Sequence, residues 1–171
     1  TPNIKGLTRS VLVTGGAGYV GSHCCKFLSK NGYVPVTIDR DLRTKFKPVT
    51  FGPSFDINLP QEINRLDEIV QRYNITSCIH FAGSASVAES VKNPSEYYKN
   101  NVVSTVALLD KLVDLGVKTF VYSSSAATYG DPGMRMCKES DWAKPINAYG
   151  ATKLMMEQIL KDYNKAYGVS S

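Results

Sequence analysis

The sequence predicts an α/β fold in which helices cover both faces of a doubly wound parallel sheet. Short apolar runs alternate with amphipathic helical patterns along the 171 residues, which is typical of repeated strand–helix–strand units. A glycine-rich turn joins the first apolar run to the first helical pattern, and an acidic residue ends the second run. These observations predict one domain over residues 1–171.

Five strands and four main helices are predicted from the alternating patterns. The strands are placed at Ser10–Thr14, Val34–Asp39, Val49–Asp56, Ser77–Phe81 and Lys118–Ser123. The helices are expected at Tyr19–Lys30, from Pro60 onward, at Pro94–Leu115 and at Asn147–Tyr167. Proline in the first turn and glycine after the last residue are typical helix boundaries. Loops are expected over 82–93 and 124–146.

The composition is that of a globular protein rather than a disordered one. Hydrophobic residues make up 43% of the chain and charged residues 20%. The 20 Lys and Arg exceed the 15 Asp and Glu, which gives a net charge of +5. This excess suits an anionic ligand such as a nucleotide, but the basic residues are too scattered to predict nucleic-acid binding. No apolar run approaches ~20 residues, so no membrane span is predicted.

The cysteines and histidines do not form a pattern of metal ligands or paired thiols. The four cysteines, none of them spaced C-x-x-C, are Cys24, Cys25, Cys78 and Cys137. The two histidines, His23 and His80, stand apart from any cluster of ligands. We therefore predict no metal site and no disulfide framework, and reduced thiols indicate a cytoplasmic protein.

The glycine turn after the first strand has the spacing of a phosphate-binding loop. Gly15, Gly18 and Gly21 are spaced GxxGxxG between the strand and the helix that follows. Glycine allows a sharp turn and a close approach of the backbone to a diphosphate, and the helix N-terminus offers free N–H groups. The order of strand, glycine turn and helix therefore predicts a dinucleotide site.

The residue that ends the second strand bears on the choice of dinucleotide. Asp39 lies 21 residues after Gly18, where a carboxylate accepts hydrogen bonds from ribose hydroxyls and repels a 2′-phosphate. This favours NAD over NADP. Basic groups that follow at Arg40, Arg43 and Lys45 keep the alternative open, because they are able to bind a 2′-phosphate.

The chain also contains a candidate catalytic group. Tyr149 and Lys153 are spaced i, i+4 at the start of the last predicted helix, so both side chains lie on one helix face. A nearby ammonium favours the phenolate, which is then able to accept a proton from a hydroxyl. Ser125 follows the fifth strand, where it is able to hydrogen-bond the same oxygen. Two other candidate catalytic residues are weaker. His80 is expected to be a buried, hydrogen-bonded imidazole rather than a base, and Cys137 is not expected to act as a nucleophile.

The chain resembles the extended short-chain dehydrogenase/reductase family. The run Val13–His23 (VTGGAGYVGSH) matches the glycine turn of that family. Within the family, the chain is similar to the UDP-glucose 4-epimerases. The segments that carry this resemblance are His80–Gly83 (HFAG), Val87–Ser90 (VAES), Tyr97–Val102 (YYKNNV), Ser123–Gly130 (SSSAATYG) and Tyr149–Gln158 (YGATKLMMEQ).

The resemblance implies a Rossmann-like fold with NAD as the cofactor. The implied cofactor contacts are Gly15, Gly18, Tyr19, Val20, Gly21, Asp39, Asp56, Ile57, Phe81, Ala82, Gly83, Asn100, Ser123, Tyr149 and Lys153. The implied catalytic residues are Ser125, Tyr149 and Lys153, of which Ser125 and Tyr149 also contact the substrate. The sequence departs from the family at Ala85, where a lysine often contacts the cofactor, so weaker cofactor retention is expected.

The resemblance further implies an epimerase that acts on C4 of a UDP-sugar. A related dehydratase carries an acidic residue just after the strand-five serine or threonine, and Ala126 and Ala127 stand here instead. A UDP-pentose or UDP-uronate 4-epimerase and a non-catalytic NAD-binding module remain alternatives. Family members are about twice as long, so the chain is expected to be an N-terminal fragment that lacks the C-terminal substrate region.

Association is the last expectation from the resemblance. The family pairs its long helix and its last helix with their copies in a homodimer. The apolar stripes expected to take part are Val102, Val106, Leu109 and Val113 on the long helix, and Leu154 and Ile159 on the last helix. The alternative is that both stripes face the sheet of their own chain.

Overall fold

Five parallel strands form the centre of the protein in a computed structural model that describes residues 9–40, 42 and 51–171. The strands are β1 (Arg9–Thr14), β2 (Tyr33–Asp39), β3 (Ser54–Asp56), β4 (Ser77–His80) and β5 (Thr119–Tyr122). Their order in the sheet is β3-β2-β1-β4-β5, and every neighbouring pair is parallel. The predicted doubly wound parallel sheet is therefore confirmed.

Six α-helices accompany these strands in the described ranges. They are α1 (Tyr19–Lys30), α2 (Leu66–Tyr73), α3 (Val87–Lys92), α4 (Pro94–Tyr97), α5 (Ser104–Asp114) and α6 (Ala148–Tyr167). None of them is both long and apolar enough to span a bilayer. The boundaries follow the local chemistry: α6 begins after Asn147, whose side chain accepts a hydrogen bond from the Gly150 amide, and ends at Gly168 in the left-handed region.

The helices are divided between the two faces of the sheet. Alternate residues of β1 point to opposite faces, so Leu12 joins one core cluster while Val11 and Val13 join the other. The Leu12 cluster is the larger one, and α2, α5 and α6 cover it. The smaller cluster lies under α1, which contributes the fully buried Cys25. The crossover helices thus place α1 and α6 on opposite faces.

The structure corrects several of the predicted boundaries, and four of the five strands differ from the prediction by one residue at one or both ends. Strand β3 is only three residues long, and positions 49 and 50 of its predicted range lie outside the described residues. The helix expected from Pro60 begins as a 3₁₀ turn at Ile63–Arg65. The loop expected over 82–93 contains α3, and a 3₁₀ turn at Ala126–Tyr129 interrupts the loop expected over 124–146.

The long helix expected from Pro94 is continuous in outline but changes its winding. It consists of α4, a π-helical segment at Tyr98–Val103, and α5. The Ser104 hydroxyl donates to the Lys99 carbonyl oxygen across this wider turn, with 3.1 Å between the oxygens. π segments are rare and often occur at functional sites, and this one contains both Asn100 and Asn101.

The register of the sheet aligns the carboxyl ends of the central strands. Thr14 pairs with His80, and His80 pairs with Tyr122 on the next strand. On the other side of β1, Thr14 pairs with Ile38, the neighbour of Asp39. These residues form a row along one edge of the sheet, which is where ligands bind in open parallel sheets.

The outer edge of β5 is partly covered. The last turn of the chain returns to it, because the Phe120 amide donates to the Ser170 carbonyl oxygen and the Ser170 amide donates to the Lys118 carbonyl oxygen, at 2.8 and 2.7 Å. The bridge between Thr119 and Ser170 is parallel, like the rest of the sheet. The first residues of β5 therefore do not form a bare edge of the sheet.

Candidate active site

A cleft opens at the aligned carboxyl ends of the strands. The predicted site residues that line it are Gly15, Gly18, Asp39, Ile57, Phe81, Ala82, Gly83 and Asn100. Its lining also includes residues to which the sequence assigned no cofactor contact, namely Thr14, Ile38, Asn58, Leu59, His80, Ser104 and Thr105. The predicted glycine turn and the loop after β4 thus face one common space.

The glycine turn is packed so tightly that Gly15, Gly16 and Gly21 have no room for a side chain. Gly15 adopts a φ of +67°, and a Cβ atom there would lie 2.6 Å from the Ala82 amide nitrogen. A Cβ atom on Gly21 would overlap the Gly15 carbonyl oxygen. The first contact brings the turn against the loop after β4, and the second brings α1 against the turn.

Asp39 ties the end of β2 to the same turn. Its carboxylate accepts a hydrogen bond from the Ala17 amide, with 3.0 Å between nitrogen and oxygen. Arg40 follows in the cleft lining. The two other basic residues that bear on the choice of dinucleotide, Arg43 and Lys45, lie outside the described residues.

The π segment supports the loop after β4 with two asparagines. The Asn100 amide donates to the Ser84 hydroxyl at 2.9 Å. Asn101 contacts the Ser84 backbone twice, since its side-chain oxygen accepts from the amide at 2.8 Å and its side-chain nitrogen donates to the carbonyl oxygen at 3.0 Å. The sequence predicted a role for Asn100 but not for Asn101, which is buried and carries more of the contacts.

The Tyr149–Lys153 pair lies beside the end of β5. The Lys153 ammonium donates to the Ser123 carbonyl oxygen at 2.8 Å, and it lies 4.8 Å from the centroid of the Tyr122 ring and 5.7 Å from that of Tyr149. Burial lowers the pKa of Lys153 to about 8, because the ammonium loses hydration there. This pKa is still above 7, so Lys153 stays mostly protonated next to the Tyr149 ring at neutral pH.

The serines after β5 are connected to α6 in several ways. The Ser124 hydroxyl donates a hydrogen bond to the Glu157 carboxylate, one helical turn beyond Lys153. Ser125 begins the 3₁₀ turn, and its hydroxyl accepts from the Ala127 amide at 3.2 Å. That turn lies directly against α6, because a Cβ atom on Gly150 would overlap the Ala127 carbonyl oxygen. Ser125 and Tyr149 are thus held on adjacent segments.

Comparison with known proteins identifies the family. Residues 11–171 match the NAD dependent epimerase/dehydratase family. The chain belongs to this family. The expected resemblance to nucleotide-sugar epimerases is confirmed, since the UDP-glucose 4-epimerase of Rhizobium leguminosarum bv. trifolii is 42% identical over 159 residues, which cover 93% of this chain and 48% of that enzyme.

Solved structures of family members have the same fold. The UDP-glucose 4-epimerase of Brucella ovis, solved in complex with NAD, superposes with a TM-score of 0.87 at 42% identity, covering 95% of this chain and 50% of that chain. The Thermotoga maritima enzyme, solved with UDP-glucose, gives 0.83 at 30% identity and covers 94% and 52%. This epimerase-family chain therefore spans about half the length of the curated relatives it matches.

Other predicted site residues of this family member lie apart from the cleft lining. Tyr19 and Val20 begin α1 with exposed side chains, at 82% and 58%. Asp56 of β3 pairs with Asp39 of β2, and it lines a separate hollow with Glu62 and Arg65. The contacts expected of these residues with a cofactor stay predictions.

The cysteines are free, and no metal cluster is present in the described ranges. All four thiols are unpaired, and burial raises the pKa of Cys78 far above its ordinary value. Nowhere in residues 9–40, 42 and 51–171 do three His, Cys, Asp or Glu side chains gather as metal ligands. His80 is 3% exposed and hydrogen-bonded through both ring nitrogens, as the sequence led us to expect.

The predicted apolar stripes mostly face their own sheet. Leu109 is 1% exposed, and Val102, Val106, Val113 and Ile159 pack against the larger core cluster. The exposed large apolar residues of these helical segments are instead Val103, at 58%, Tyr167, at 51%, and Met155, at 44%. The homodimer stays a prediction, but its contact residues have to be sought among the exposed ones.

Proposed function

We propose that this chain is the NAD-binding part of an enzyme that epimerises C4 of a UDP-sugar, interconverting UDP-glucose and UDP-galactose. One arrangement carries the proposal: the glycine turn after β1 and the Tyr149–Lys153 pair next to β5 occupy the same edge of the sheet. Relatives named UDP-glucose 4-epimerase, about 40% identical over nearly all of this chain, support the choice of reaction.

The glycine turn and the end of β2 are suited to NAD on steric and electrostatic grounds. Gly15 and Gly18 line the cleft without side chains where a diphosphate would approach the N-terminus of α1. Asp39 would accept hydrogen bonds from the adenosine ribose, and its negative charge disfavours a 2′-phosphate. Phe81, Ala82 and Gly83 would form the floor of the site.

The chain's own residues would then handle the proton. NAD, when bound, supplies reversible acceptance of the hydride from the sugar C4. Tyr149 would accept the proton of the C4 hydroxyl on its phenolate oxygen, and Ser125 would donate a hydrogen bond to the same sugar oxygen. The positive charge of Lys153 stabilises the phenolate. Once the 4-keto sugar presents its other face, Tyr149 returns the proton.

The same residues argue against a dehydratase. Elimination of water from a nucleotide sugar needs an additional acid and base beside the tyrosine. The 3₁₀ turn that follows Ser125 offers only Ala126, Ala127, Thr128 and Tyr129, and none of these is a carboxylic acid. Epimerisation needs no residue beyond those already present.

The experiment is an epimerase assay on the natural protein that contains this chain, because the chain spans about half the length of its relatives. With NAD present, we expect conversion of UDP-galactose to UDP-glucose. UDP-xylose and UDP-glucuronate serve as competing substrates, and faster turnover of either would favour a pentose or uronate epimerase. Binding of NAD without turnover of any UDP-sugar would instead favour a non-catalytic module.

A further inference from the structure

His80 is a buried ionisable group that the proposed mechanism does not use. It is the last residue of β4, in the row formed by the carboxyl ends of the strands, and it is 3% exposed. Its Nδ1 atom lies 2.7 Å from the Thr14 hydroxyl oxygen, and its Nε2 atom lies 3.1 Å from the Thr105 hydroxyl oxygen. The rings of Phe120 and Tyr122 stack against the imidazole, with centroids at 5.7 and 5.9 Å.

The partner on the Nε2 side determines where the imidazole carries its proton. The Thr105 hydroxyl donates its single hydrogen to the Asn101 carbonyl oxygen, at 2.8 Å. It therefore has only lone pairs to offer to His80, so Nε2 must be the donor. A neutral imidazole protonated at Nε2 has a free lone pair at Nδ1.

The partner on the Nδ1 side agrees with this assignment. The Ala82 amide donates to the Thr14 hydroxyl oxygen at 3.3 Å, which leaves the Thr14 hydrogen free to point at Nδ1 of His80. Each hydroxyl in the path thus donates once and accepts at least once. Burial, with a smaller effect of the Lys153 charge, lowers the pKa of His80 to about 3, so the ring is neutral at ordinary pH.

The hydrogen-bonded path continues to the helix that carries the candidate catalytic residues. The side-chain nitrogen of Asn101 donates to the Thr152 hydroxyl at 3.2 Å. The Thr152 hydroxyl in turn donates to the Tyr149 carbonyl oxygen at 2.7 Å. His80, Asn101 and Thr152 are all buried, so water does not compete for these bonds.

We propose that His80, held as the neutral Nε2–H tautomer, is a positioning residue that fixes the cofactor-facing loop after β4 relative to α5 and α6. The loop end of the path is the Ala82 amide, and the helix end is the Tyr149 backbone. A buried path of this kind keeps its geometry only while every donor has an acceptor. The effect on NAD binding rests on the proposed function, whereas the tautomer does not.

The tautomer is tested by nitrogen NMR on the natural protein labelled with ¹⁵N-histidine. The signals of His80 are identified by their absence from the spectrum of a His80→Phe variant. We expect a protonated Nε2 and an unprotonated Nδ1 throughout pH 5–8. A proton on Nδ1, or titration of His80 within that range, would overturn the proposal.

The positioning role is tested by NAD binding to His80→Phe. Phenylalanine keeps the stacking with Phe120 and Tyr122 but offers no nitrogen to Thr14 or Thr105, so we expect the Kd for NAD to rise about tenfold. Phe120→Leu is the matched control, because it removes a stacking ring and leaves both hydrogen bonds of His80. It should change the Kd less than about twofold.

The outcomes separate this proposal from the proposed function. If the wild-type protein does not bind NAD, the proposed function fails and the NMR result still decides the tautomer. If wild type binds NAD and folded His80→Phe binds it equally well, the positioning role is wrong. Should His80→Phe not fold, Thr105→Val removes the Nε2 acceptor with little change of volume. It should weaken NAD binding about threefold, and an unchanged Kd would overturn the proposal.

Discussion

The ammonium nitrogen of Lys153 lies 5.7 Å from the centroid of the Tyr149 ring. The two residues are one turn apart on α6, and Lys153 is anchored by its hydrogen bond to the Ser123 carbonyl oxygen. Because the ammonium is almost fully buried, its charge is little screened by water. The arrangement therefore places an effective positive charge next to a tyrosine beside the carboxyl end of β5.

The first prediction concerns the pH dependence of stability that Lys153 causes. Its pKa falls from 10.5 to about 8 in the folded protein because of burial, so the unfolded chain binds the proton more tightly. The buried ammonium therefore lowers the free energy of unfolding below pH 8. This loss of stability disappears as the pH rises toward 10.5. We expect Lys153→Met to be more stable than wild type at pH 7, with the difference shrinking above pH 8.

Chemical unfolding from pH 7 to 10 measures this difference. The comparison of the two proteins cancels the other groups that titrate in this range. A difference in the free energy of unfolding that stays constant with pH would show that Lys153 has an ordinary pKa.

The second prediction concerns the choice of cofactor at Asp39. We expect NAD to bind more tightly than NADP, since Asp39 lines the cleft and we propose that its carboxylate binds the adenosine ribose. Asp39→Ser should reduce the NAD preference by about tenfold, because a hydrogen bond to a charged group is lost together with a repulsive charge. Titration with both dinucleotides measures the ratio of the Kd values.

Asp114→Asn is the control for the change in net charge, because Asp114 is exposed at the end of α5. It should leave the ratio unchanged. Tighter binding of NADP to the wild-type protein would contradict the assignment of Asp39.

Sequence reasoning succeeded where a local pattern determines the structure. The bounds of α1 are those predicted, since the glycine turn precedes it and Asn31 and Gly32 end it. The i, i+4 spacing likewise placed Tyr149 and Lys153 together. The path through His80 escaped prediction because Thr14 is 66 residues away from it and Thr105 is 25 away, so only the tertiary fold brings them into contact.

The π segment and the apolar stripes show a second limit. Nothing in the Tyr97–Val102 run distinguishes a π turn from an α turn, so the importance of Asn101 over its neighbour became visible only from contacts. The stripes have helical spacing that fits either a partner or the chain's own sheet. The burial of Leu109 shows that this residue faces the chain's own sheet. Val103 is exposed, but it is not part of the predicted stripe.

The third prediction concerns the steric role of Gly21. A Cβ atom there would overlap the Gly15 carbonyl oxygen, whereas at Gly18 it would lie 3.3 Å from the same atom. We expect Gly21→Ala to lower the free energy of unfolding by about 1–3 kcal/mol, as overpacking does, and Gly18→Ala to lower it less. Equal losses in a urea titration would contradict the close packing of α1 on the turn.

The fourth prediction concerns association through α6 and the π segment. We expect the natural protein to be a dimer at micromolar concentration, and Val103→Glu or Met155→Glu to shift it toward monomer by placing a charge in an apolar contact. Phe27→Glu is the control, since this residue is 68% exposed on α1, which covers the opposite face of the sheet. Sedimentation equilibrium decides it, and a monomeric wild-type protein would refute the pairing.

The central claim is that Tyr149 exchanges the proton of the sugar C4 hydroxyl. General acid–base groups contribute about 10²–10⁴-fold, whereas a hydrogen bond to a neutral oxygen contributes about 0.5–1.5 kcal/mol. Tyr149→Phe should therefore lose far more activity than Ser125→Ala, for which we expect about a tenfold loss. Phenylalanine keeps the ring beside Lys153, so NAD binding should persist.

The most direct test is the kcat of Tyr149→Phe for conversion of UDP-galactose to UDP-glucose, measured in the natural protein with the Kd for NAD determined on the same sample. The account predicts that kcat falls by about 10²–10⁴-fold while the Kd changes little. Turnover at the wild-type rate by a folded, NAD-bound Tyr149→Phe protein would contradict it.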